Sequence, residues 1–507
     1  MTELSRRAVL GGVLATGLAL TLEPLTFASA RTTGTQTRTI TGHLDPGAAD
    51  WVYLPVDVPR GVRQIDVSYS YDKPSEPAGT VTNSCDIGIF DERGTALNSD
   101  GFRGWSGGFR NAFSIAADQA TPGYLPGSIN SGRWNVILGP YQVCPSGLNY
   151  TVTVTLTYGA VAGRFTPQYP PQQVRGTGKG WYRGDSHLHT VYSDGRRTPD
   201  QVAAGARAAG LDFMVTTDHN TSSSHAVWGP LSGPDLLIVT GEEITTRNGH
   251  VLALGVTPGH WIDWRYRARD GEFADIADEV HKDGGIIVPA HPCCAFVGCR
   301  WKFGYSDADA IEVWNGPWTL DDESSVEIWD GLLVAAARTG DRWLPALGNS
   351  DAHSEPQVIG LPQTVVRADS LSRDGLLQAI AAGRSYLAES STVQLAVTAS
   401  GGGRSAGIAD RLAVSPSTPV TVSVDVSAVP SGVVRVITDE GQLHMEQLPS
   451  SGQGTVTWLT TPQQSAYVRV EVRHPLPDGS PGNGNAVTAT PPLGPMAALS
   501  NPIWLGR

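Results

Sequence analysis

Polar and apolar residues alternate strictly in several short segments of the first 160 residues. The clearest is YTVTVTLTY at residues 150–158, where threonines fall on one face and apolar side chains on the other. Similar segments, among them WVYLPVDV and QIDVSYSY, are separated by turn residues. Because a period of two is typical of half-buried strands, the pattern predicts an N-terminal β-sandwich over residues 31–175. A Pro- and Gly-rich linker begins within it at Phe165.

The pattern changes near residue 180. Apolar strand-like segments such as LDFMVTTDHN (211–220) and GIIVPAHP (285–292) alternate with helix-like segments such as PDQVAAGARAAG (199–210). This alternation predicts an α/β domain with a parallel sheet covered by helices, and the number of units favours a barrel over residues 176–392. Strand patterning returns in PVTVSVDVSA and GTVTWLTT, which predicts a second β-sandwich over residues 393–507.

Residues 1–30 have the features of an export signal. Arg6 and Arg7 precede an apolar run that ends at Leu22, and Ala28-Ser29-Ala30 is a small-residue cleavage pattern. The apolar run is ~15 residues long, against about 20 needed to span a bilayer. The paired arginines resemble a twin-arginine signal. We therefore expect the twin-arginine export machinery as a partner, cleavage after Ala30, a secreted or extracytoplasmic location, and no stable membrane span after cleavage.

Composition narrows the partners and leaves the cysteine chemistry open. The formal net charge is −13, and no block of Lys or Arg follows the N-terminus, so we expect no nucleic-acid partner. In an exported protein, Cys85 and Cys144 are candidates for one disulfide, and one pair within Cys293, Cys294 and Cys299 is a candidate for another. Thiolate metal binding is not expected, because no second cysteine pair completes four ligands.

Histidine is concentrated in the central segment, where nine of the chain's 12 histidines lie between His187 and His353. In GDSHLHTVYSDG, His187 and His189 sit at i and i+2 near a predicted strand end, so their side chains point to the same side. Asp351 and His353 repeat this spacing after WLPALG. A single histidine at a strand end is usually a hydrogen-bonded surface residue. Several His, Asp and Glu at successive strand ends instead predict a divalent metal centre.

The order of these motifs, HxH, TDH, GxE, GH, AHP and DxH, resembles the polymerase and histidinol phosphatase (PHP) superfamily. The local sequence is similar to its CehA/McbA-type metallohydrolases. The matching segments lie within about residues 180 to 390 and include GDSHLHTVYSDG, TTDHN, TGEEITTRNGHVLALG, IEVWNG and LGNSDAHS. The resemblance implies a distorted (β/α)7 barrel, flanked here by the two predicted sandwiches. It also implies two or three divalent ions, Zn, Mn or Fe, at the barrel rim.

The resemblance implies three groups of metal ligands, two of which share one bridging carboxylate. The first group is His187, His189, Glu243 and Asp351. The second comprises the bridging Glu243 with His250 and His291. The third is Asp194, His219 and His353. Asp194 stands where many members of the superfamily have histidine, so occupancy of the third group is the least determined.

The expected reaction is hydrolysis by metal-bound hydroxide. Clustered divalent ions lower the pKa of a bound water and stabilise the oxyanion that its attack creates, so no Ser or Cys nucleophile is needed. We expect Asp351 and Glu243 to be catalytic, with Asp351 accepting the water proton. Glu242 and Asp218 are expected to orient ligands. The histidines that match no motif, and that we expect to be bystanders, are His225, His260 and His281.

The substrate is expected to be a small molecule or an ester, and the superfamily favours a phosphoester. The CehA/McbA likeness keeps carboxylic esters, carbamates and amides open. Arg300 and Lys302 would supply the fixed cations that a phosphate needs. The full set of candidate substrate contacts is Asn220, Lys282, Arg300, Lys302 and Asn315. A third interpretation is a non-catalytic, metal-stabilised binding protein whose sandwiches bind a polymer.

Overall fold

The computed structural model describes residues 24–27, 33–77, 79–161, 163–478 and 493–506. Its N-terminal part contains the strands β1 (Gly34–Leu44), β2 (Val52–Val58), β3 (Val62–Tyr71), β4 (Ser84–Phe90), β5 (Phe102–Trp105), β6 (Ala112–Ala116), β7 (Gly132–Gln142) and β8 (Leu148–Tyr158). They form two four-stranded antiparallel sheets in the orders β1-β8-β3-β6 and β2-β7-β4-β5. Buried side chains of both sheets, such as Leu54, Ile65 and Val154, form one hydrophobic cluster.

The central part mixes short strands with four α-helices. Its elements are β9 (Gly180–Asp185), α1 (Pro199–Ala208), β10 (Phe213–Thr216), β11 (Leu237–Thr246), β12 (Gly249–Leu254), α2 (Phe273–Lys282), β13 (Ile286–Ala290), β14 (Ile311–Asn315), α3 (Leu320–Thr339), β15 (Ala346–Asn349), β16 (Gln363–Ala368), α4 (Arg373–Ala381) and β17 (Ser385–Ala388). Capping boxes at Thr198 and Thr319 begin α1 and α3. Gly340, with φ of 77°, ends α3 because glycine tolerates this backbone conformation.

The described part of the chain does not form a closed barrel, and the distorted (β/α)7 arrangement stays a prediction. The central strands follow the path β13-β12-β11-β10-β9-β16-β17, and β14 and β15 form a separate pair. Only β9–β10, β10–β11 and β14–β15 are parallel. The difference arises because Arg247 and Asn248 join β11 to β12 as a hairpin, and a two-residue connection enforces antiparallel pairing. The α/β class is confirmed, whereas regular strand–helix alternation is wrong.

The described residues of the C-terminal part, 393–478 and 493–506, contain strands and no helix. Its strands are β18 (Gln394–Gly401), β19 (Arg404–Gly407), β20 (Arg411–Leu412), β21 (Val420–Ser427), β22 (Val433–Thr438), β23 (Gly441–Gln447), β24 (Gly454–Thr460), β25 (Tyr467–Arg473), β26 (Met496–Ser500) and β27 (Ile503–Leu505). One sheet has the order β19-β18-β21-β24. The other continues the central sheet through the β17–β26 pair, so the two parts share one run of hydrogen-bonded strands. No helix in the described ranges is long and apolar enough to cross a membrane.

The N-terminal sheets pack on the central part through an aromatic cluster. Phe102 of β5 stacks on Trp261 with ring centroids 4.1 Å apart, and Trp105 lies 4.8 Å from Trp264. These residues belong to one hydrophobic cluster that also includes Ile276 of α2. Burial of large aromatic rings is strongly favourable, so this cluster fixes the N-terminal sheets beside the central strands.

The cysteines differ in part from expectation. Cys294 and Cys299 form a disulfide, which confirms a pair within the cluster, and Cys293 is free. The expected Cys85–Cys144 disulfide is wrong, since both residues are free and buried. The Cys144 thiol lies 3.1 Å from the Gly147 carbonyl, whereas the Cys85 thiol faces the carbonyl of Asp86.

Most of the predicted export signal lies outside the described residues. Within residues 24–27, the Leu25 amide donates to the carbonyl of Pro55, and the Asp57 amide donates to the carbonyl of Leu25. Phe27 is buried in the cluster of the N-terminal sheets. Cleavage after Ala30 would therefore remove these contacts.

Candidate metal centre

Four side-chain atoms from three parts of the chain meet at one edge of the central sheet. His187 and His189 follow β9, Glu243 lies within β11, and Asp351 follows β15. Nε2 of His187 is 3.2 Å from Oε2 of Glu243 and 3.2 Å from Oδ1 of Asp351. Nε2 of His189 is 3.2 Å and 3.0 Å from the same two oxygens. We call these two nitrogens and two oxygens the first ligand group.

The first ligand group has the chemistry and spacing of a metal site. All four atoms are buried and make no well-directed hydrogen bond, although the two nitrogens face the two oxygens at 3.0–3.2 Å. Such an arrangement is costly for polar atoms unless another group satisfies them. Ligands at about 2.0–2.1 Å from a tetrahedral zinc ion lie roughly 3.3 Å from one another, close to the separations found here. One divalent ion would satisfy all four atoms together, so these residues fit a metal.

The outer nitrogen of each of these histidines has a partner. Nδ1 of His187 donates to Oε1 of Glu312 at 3.1 Å, and Nδ1 of His189 lies 3.3 Å from the Ser193 hydroxyl. Such contacts fix the ring orientation and leave Nε2 free for a metal. Glu312 is itself fully buried and accepts from the side-chain amides of Asn349 and Asn315 at 2.9 and 3.0 Å.

Glu312 is a functional residue that the sequence reasoning missed. It lies in IEVWNG, between the buried Ile311 and Val313. A charged residue within an apolar strand segment is rarely buried without a partner. The acidic residue within this apolar segment could have indicated a functional position, because a buried charge requires a partner elsewhere in the fold.

A second ligand group is centred on the other oxygen of Glu243. Oε1 of Glu243 is 2.9 Å from Nδ1 of His250 and 3.2 Å from Nε2 of His291. His250 lies near the start of β12, directly opposite Thr245 of β11, and His291 follows β13. The two oxygens of Glu243 therefore face two different groups, as a bridging carboxylate does.

The third ligand group is the most open to solvent. Oδ1 of Asp194 is 3.2 Å from Nε2 of His353 and 3.5 Å from Nε2 of His219. The Asp194 side chain is 39% exposed, and the ring of His189 stacks on His353 with centroids 4.0 Å apart. All nine predicted metal ligands thus lie in one connected cluster, while the binding of metal by them stays a prediction.

The backbone beside the ligands is held in an uncommon conformation. His291 has φ of 27° and Asp351 has φ of 48°. Positive φ costs energy in residues with a side chain, and it concentrates at functional sites where the surrounding structure enforces it. Parallel bridges pair Leu188 with Ala352 and His219 with Glu243. These bridges extend the strand pairing past the strand ends and hold the ligand segments in register.

Opposite charges hold most of the centre in the ionised form. Burial disfavours charge on Glu243, but His219 and His187 outweigh it and lower its pKa well below the usual range. Burial likewise opposes ionisation of Asp351, yet His187 and His189 lower its pKa. Burial lowers the pKa of His250 to about 4, so this ring is neutral at pH 7. Burial opposes charge on His187 and His219, but the neighbouring carboxylates raise the pKa of both rings, so metal binding there would release protons.

The two acidic residues expected to orient ligands behave differently. Asp218 accepts from the Thr190 amide and the Ser193 hydroxyl, both at 2.8 Å, and so fixes the segment that follows His189. Glu242 points away from the centre, because neighbouring residues of a strand face opposite sides. Its Oε2 accepts from the Ile262 amide at 3.2 Å, so the ligand-orienting role predicted for Glu242 is wrong.

The three histidines expected to be bystanders lie outside the centre. Nε2 of His225 donates to the Gly241 carbonyl at 2.9 Å. His260 lies between Glu279 and Asp283. His281 pairs with Asp309 at 2.7 Å. Each ring therefore has a structural partner of its own.

A cavity of about 410 Å³ opens onto the ligand groups. Besides the ligands, its walls include Phe296, Pro317 and the Cys294–Cys299 disulfide. Carboxylates also line it, at Glu312, Asp321 and Asp322. Among the described residues, no lysine or arginine lines this cavity. A substrate bound there meets no fixed positive side chain.

Of the candidate substrate contacts, only Asn315 lies in the cavity. Its side-chain amide donates to Oε2 of Glu312 at 3.0 Å and to Oδ2 of Asp351 at 3.3 Å. Asn220 is buried, and its side chain bonds to both the amide and the carbonyl of Thr245, which positions β11. The three cationic candidates are exposed and lie outside the cavity: Lys282, Arg300 and Lys302. The expected contact of Arg300 and Lys302 with a substrate phosphate is therefore not supported by their positions.

Comparisons with known proteins show only weak similarity to solved structures. No known family's sequence profile matches the chain, and no curated protein matches it. One similar solved structure is a two-domain protein of Bacteroides vulgatus that contains a predicted PHP-like metal-dependent phosphoesterase. It is 18% identical, covers 67% of this chain and 99% of its own, and has a TM-score of 0.35.

Two other solved structures are similar over a smaller part of the chain. An amidohydrolase of Chromobacterium violaceum, solved with sulfate and no metal, is 20% identical over 35% of this chain and 89% of its own, with a TM-score of 0.26. A candidate metal-dependent phosphoesterase of Bifidobacterium adolescentis is 20% identical over 42% of this chain and 96% of its own, with a TM-score of 0.26. Because these scores are low, the likeness to these structures assigns no function to this chain.

Proposed function

We propose that this protein is a metal-dependent hydrolase of the PHP type. The observation that carries the proposal is the first ligand group, in which four buried and unsatisfied atoms of His187, His189, Glu243 and Asp351 lie at metal-ligand spacing. The second group, which shares Glu243, and the third group beside it support a centre for two or three ions. Zn²⁺, Mn²⁺ and Fe²⁺ all suit these imidazole and carboxylate ligands.

The protein residues have distinct tasks in this proposal. When bound, the ions would activate a water molecule and neutralise the negative charge that develops on the substrate. Glu312 holds the His187 ring in its metal-facing orientation. Asp351 uses Oδ1 in the first ligand group, while its Oδ2 faces Asn315. We assign to Oδ2 the task of accepting a proton from the attacking water, and to Asn315 the task of positioning that oxygen.

We further propose that the bond cleaved is a phosphoester. A carboxylate with one oxygen in each of two ligand groups is typical of centres that stabilise the attacking and leaving oxygens together, and phosphatases and nucleases use such centres. The carboxylates of the cavity repel a doubly charged phosphate. We therefore expect singly charged phosphodiesters to be better substrates than phosphomonoesters.

A second candidate is the hydrolysis of carboxylic esters, carbamates or amides. One observation favours it, namely the lack of lysine and arginine along the cavity in the described part of the chain. Phe296 and Pro317 offer an apolar wall to a neutral substrate. Aminopeptidases also use paired metal ions, so the ligand groups suit this reaction as well.

Hydrolysis assays on three chromogenic substrates test the proposal. Bis-p-nitrophenyl phosphate, p-nitrophenyl phosphate and p-nitrophenyl acetate would be compared after chelation and after restoring Mn²⁺ or Zn²⁺. We expect metal-dependent cleavage, fastest for the diester. Cleavage of the acetate alone would establish the second candidate. Metal-independent rates, or no cleavage of any of the three substrates, would contradict this proposal and favour the binding-protein interpretation.

Matched variants make the assay specific to the centre. His187→Ala with His189→Ala removes two atoms of the first ligand group and should abolish cleavage and lower the bound metal. His281→Ala removes a histidine whose partner, Asp309, lies away from the centre. It should leave both rate and metal content unchanged.

We also propose that the protein is exported by the twin-arginine machinery. The support is Arg6-Arg7, the short apolar run that follows and the small residues that end at Ala30. Arg6→Lys with Arg7→Lys should retain the full-length chain in the cytoplasm. The measurement is the mass of the protein in each cell fraction. Export of the double variant would contradict the twin-arginine route. An exported wild-type chain that still begins before Ala30 would contradict the cleavage site.

A further inference from the structure

The Cys294–Cys299 disulfide borders the metal centre. Both cysteines line the same cavity as the ligand groups, and Sγ of Cys299 lies 3.3 Å from Nδ1 of His291. The ligand atoms that His250, His291 and Cys299 offer lie within 4.8 Å of one another. Glu243 contacts the other nitrogen of His291, Nε2. The sulfur therefore approaches the second ligand group from the side opposite Glu243.

The oxidation state of this sulfur decides whether it binds metal. A thiolate is a strong ligand for zinc-class ions, and in a disulfide the sulfur is no longer a thiolate. Two imidazoles and one thiolate match the types of ligand found in zinc sites. In the disulfide form the sulfur is not a ligand, and Glu243 is the carboxylate that contacts both His250 and His291.

We propose that reduction of the Cys294–Cys299 disulfide creates a thiolate-containing metal site from Cys299, His250 and His291. This site competes with the Glu243 side of the second ligand group, because the same two histidines serve both. The inference rests on the proposed metal-dependent function, since it assumes that His250 and His291 bind metal. It adds a redox control of where the ion sits.

The reduction is a thiol–disulfide exchange with an external dithiol. A thiolate of the dithiol attacks one sulfur and breaks the Cys294–Cys299 bond, which gives a mixed disulfide and one free protein thiolate. The second thiol of the reductant then releases the other cysteine and becomes oxidised itself. Two electrons and two protons pass to the protein sulfurs. When Cys299 binds metal as the thiolate, its proton leaves to solvent.

The backbone keeps Cys299 in place after reduction. The Gly249 amide, next to His250, donates to the Gly298 carbonyl at 2.7 Å, and the Tyr141 hydroxyl donates to the Val297 carbonyl at 2.8 Å. These bonds anchor the chain beside Cys299 independently of the disulfide. Phe296 and Val297 are 82% and 70% exposed, whereas Cys294 and Cys299 are themselves buried, so a reductant would reach the sulfurs through the cavity that both cysteines line.

Export from the cytoplasm would change the redox state of the site formed by Cys299, His250 and His291. A protein that folds before export does so in a reducing compartment, where the thiolate is available to hold the ion. After export, thiol–disulfide exchange with an oxidised dithiol carrier re-forms the Cys294–Cys299 bond, and the carrier takes up the two electrons and two protons. The sulfur is then no longer a ligand, so His250 and His291 hold the ion on the Glu243 side.

Cobalt spectroscopy tests this inference apart from activity. The protein would be stripped of metal, loaded with Co²⁺, and its absorption recorded before and after reduction with a dithiol under argon. We expect ligand-field bands in both states, from the imidazole and carboxylate ligands. A thiolate-to-cobalt charge-transfer band in the near ultraviolet should appear only after reduction.

Two variants assign the band. Cys294→Ser leaves the Cys299 thiol free, so the band should be present without reductant. Cys299→Ser retains Cys293 and Cys294 as thiols after reduction, and it should show no band. Cobalt binding without a charge-transfer band in the reduced wild type, or a band that persists in Cys299→Ser, would overturn the inference. Absence of cobalt binding in every form would instead overturn the proposed function, and this inference with it.

Discussion

Glu312 holds His187 by a hydrogen bond of 3.1 Å between two fully buried side chains. The histidine donates from Nδ1, so its Nε2 faces Glu243 and Asp351. Burial opposes the charge of Glu312, but its contact with His187 outweighs this and lowers the pKa of the carboxyl. The carboxylate therefore acts on the first ligand group through the orientation of the imidazole.

Removing the charge of Glu312 should weaken metal binding. Glu312→Gln keeps the shape of the side chain but replaces the ionised acceptor for His187. Loss of such an outer contact typically costs about 10–100-fold in metal affinity. We expect a loss of this size in a competition titration of Zn²⁺ against a chromophoric chelator, with the far-ultraviolet circular dichroism unchanged.

Glu242→Gln is the matched control, because Glu242 is equally buried but faces away from the centre. Burial raises its pKa well above the usual range, so the site favours an uncharged side chain, which the amide supplies. Its metal affinity should equal that of the wild type. Equal losses in both variants would show that Glu312 has no specific role toward His187.

The third ligand group should hold its ion independently of the first. Asp194→Asn removes the carboxylate that His219 and His353 share, at 3.5 and 3.2 Å. We expect the bound metal to fall by one ion per chain in elemental analysis, while the ions of the other groups are retained. Asp200→Asn, an exposed acidic residue of α1, should leave the metal content unchanged. An unaltered metal content in Asp194→Asn would mean that this group binds no ion.

The clustering of the candidate ligands could be predicted because most of their positions at strand ends follow from local rules, while their division into three groups came from the resemblance to the PHP superfamily. A spacing of i and i+2 puts His187 with His189, and Asp351 with His353, on one side of the chain. Apolar segments before His219 and His291 marked the strand ends. When such strand ends meet at one edge of a sheet, the order of the motifs in the sequence is enough to predict that these residues lie together. The structure brings all of these residues together for this reason.

The missed features depend on tertiary contacts. Glu312 gains its role only by meeting His187, which is 125 residues away in sequence. The barrel was expected because strand-like segments alternate with helix-like ones, but the hairpin at Arg247 and Asn248 reverses the chain without a helix. Arg300 follows the disulfide closely in sequence, yet its side chain is exposed. Side-chain direction in such a loop is set by packing that local sequence does not encode.

His260 should stabilise the fold at acidic and neutral pH and lose this effect in base. Its hydrogen bonds to Glu279 and Asp283 raise its pKa to about 9, against about 6.5 in an unfolded chain. A pKa raised by folding gives a stabilisation that is complete below about pH 6.5 and disappears as the pH rises through about 9. Thermal unfolding of wild type and His260→Gln should therefore differ most at the lower pH. A difference that is constant across this range would contradict the charged-histidine interpretation.

Glu471 should be among the most important charged residues for stability. It is buried and contacts Arg435, Arg469 and Arg473 at 2.5, 2.8 and 2.8 Å. Burial opposes its charge, but Arg473, Arg435 and Arg469 outweigh this and lower its pKa. Glu471→Gln would leave these guanidinium groups without their central partner, and breaking a buried pair costs about 3–5 kcal/mol.

Urea denaturation followed by tryptophan fluorescence measures the effect of Glu471→Gln, since Trp318 and Trp329 lie against Arg473 and Arg469. We expect a clearly lower midpoint for the transition that these tryptophans report. Glu446→Gln is the control, because its side chain is 52% exposed on β23 and an exposed pair contributes little. Equal midpoints for wild type and Glu471→Gln would show that the arginines find other partners, such as Glu323 and Asp330. The network would then be redundant, with no single carboxylate at its centre.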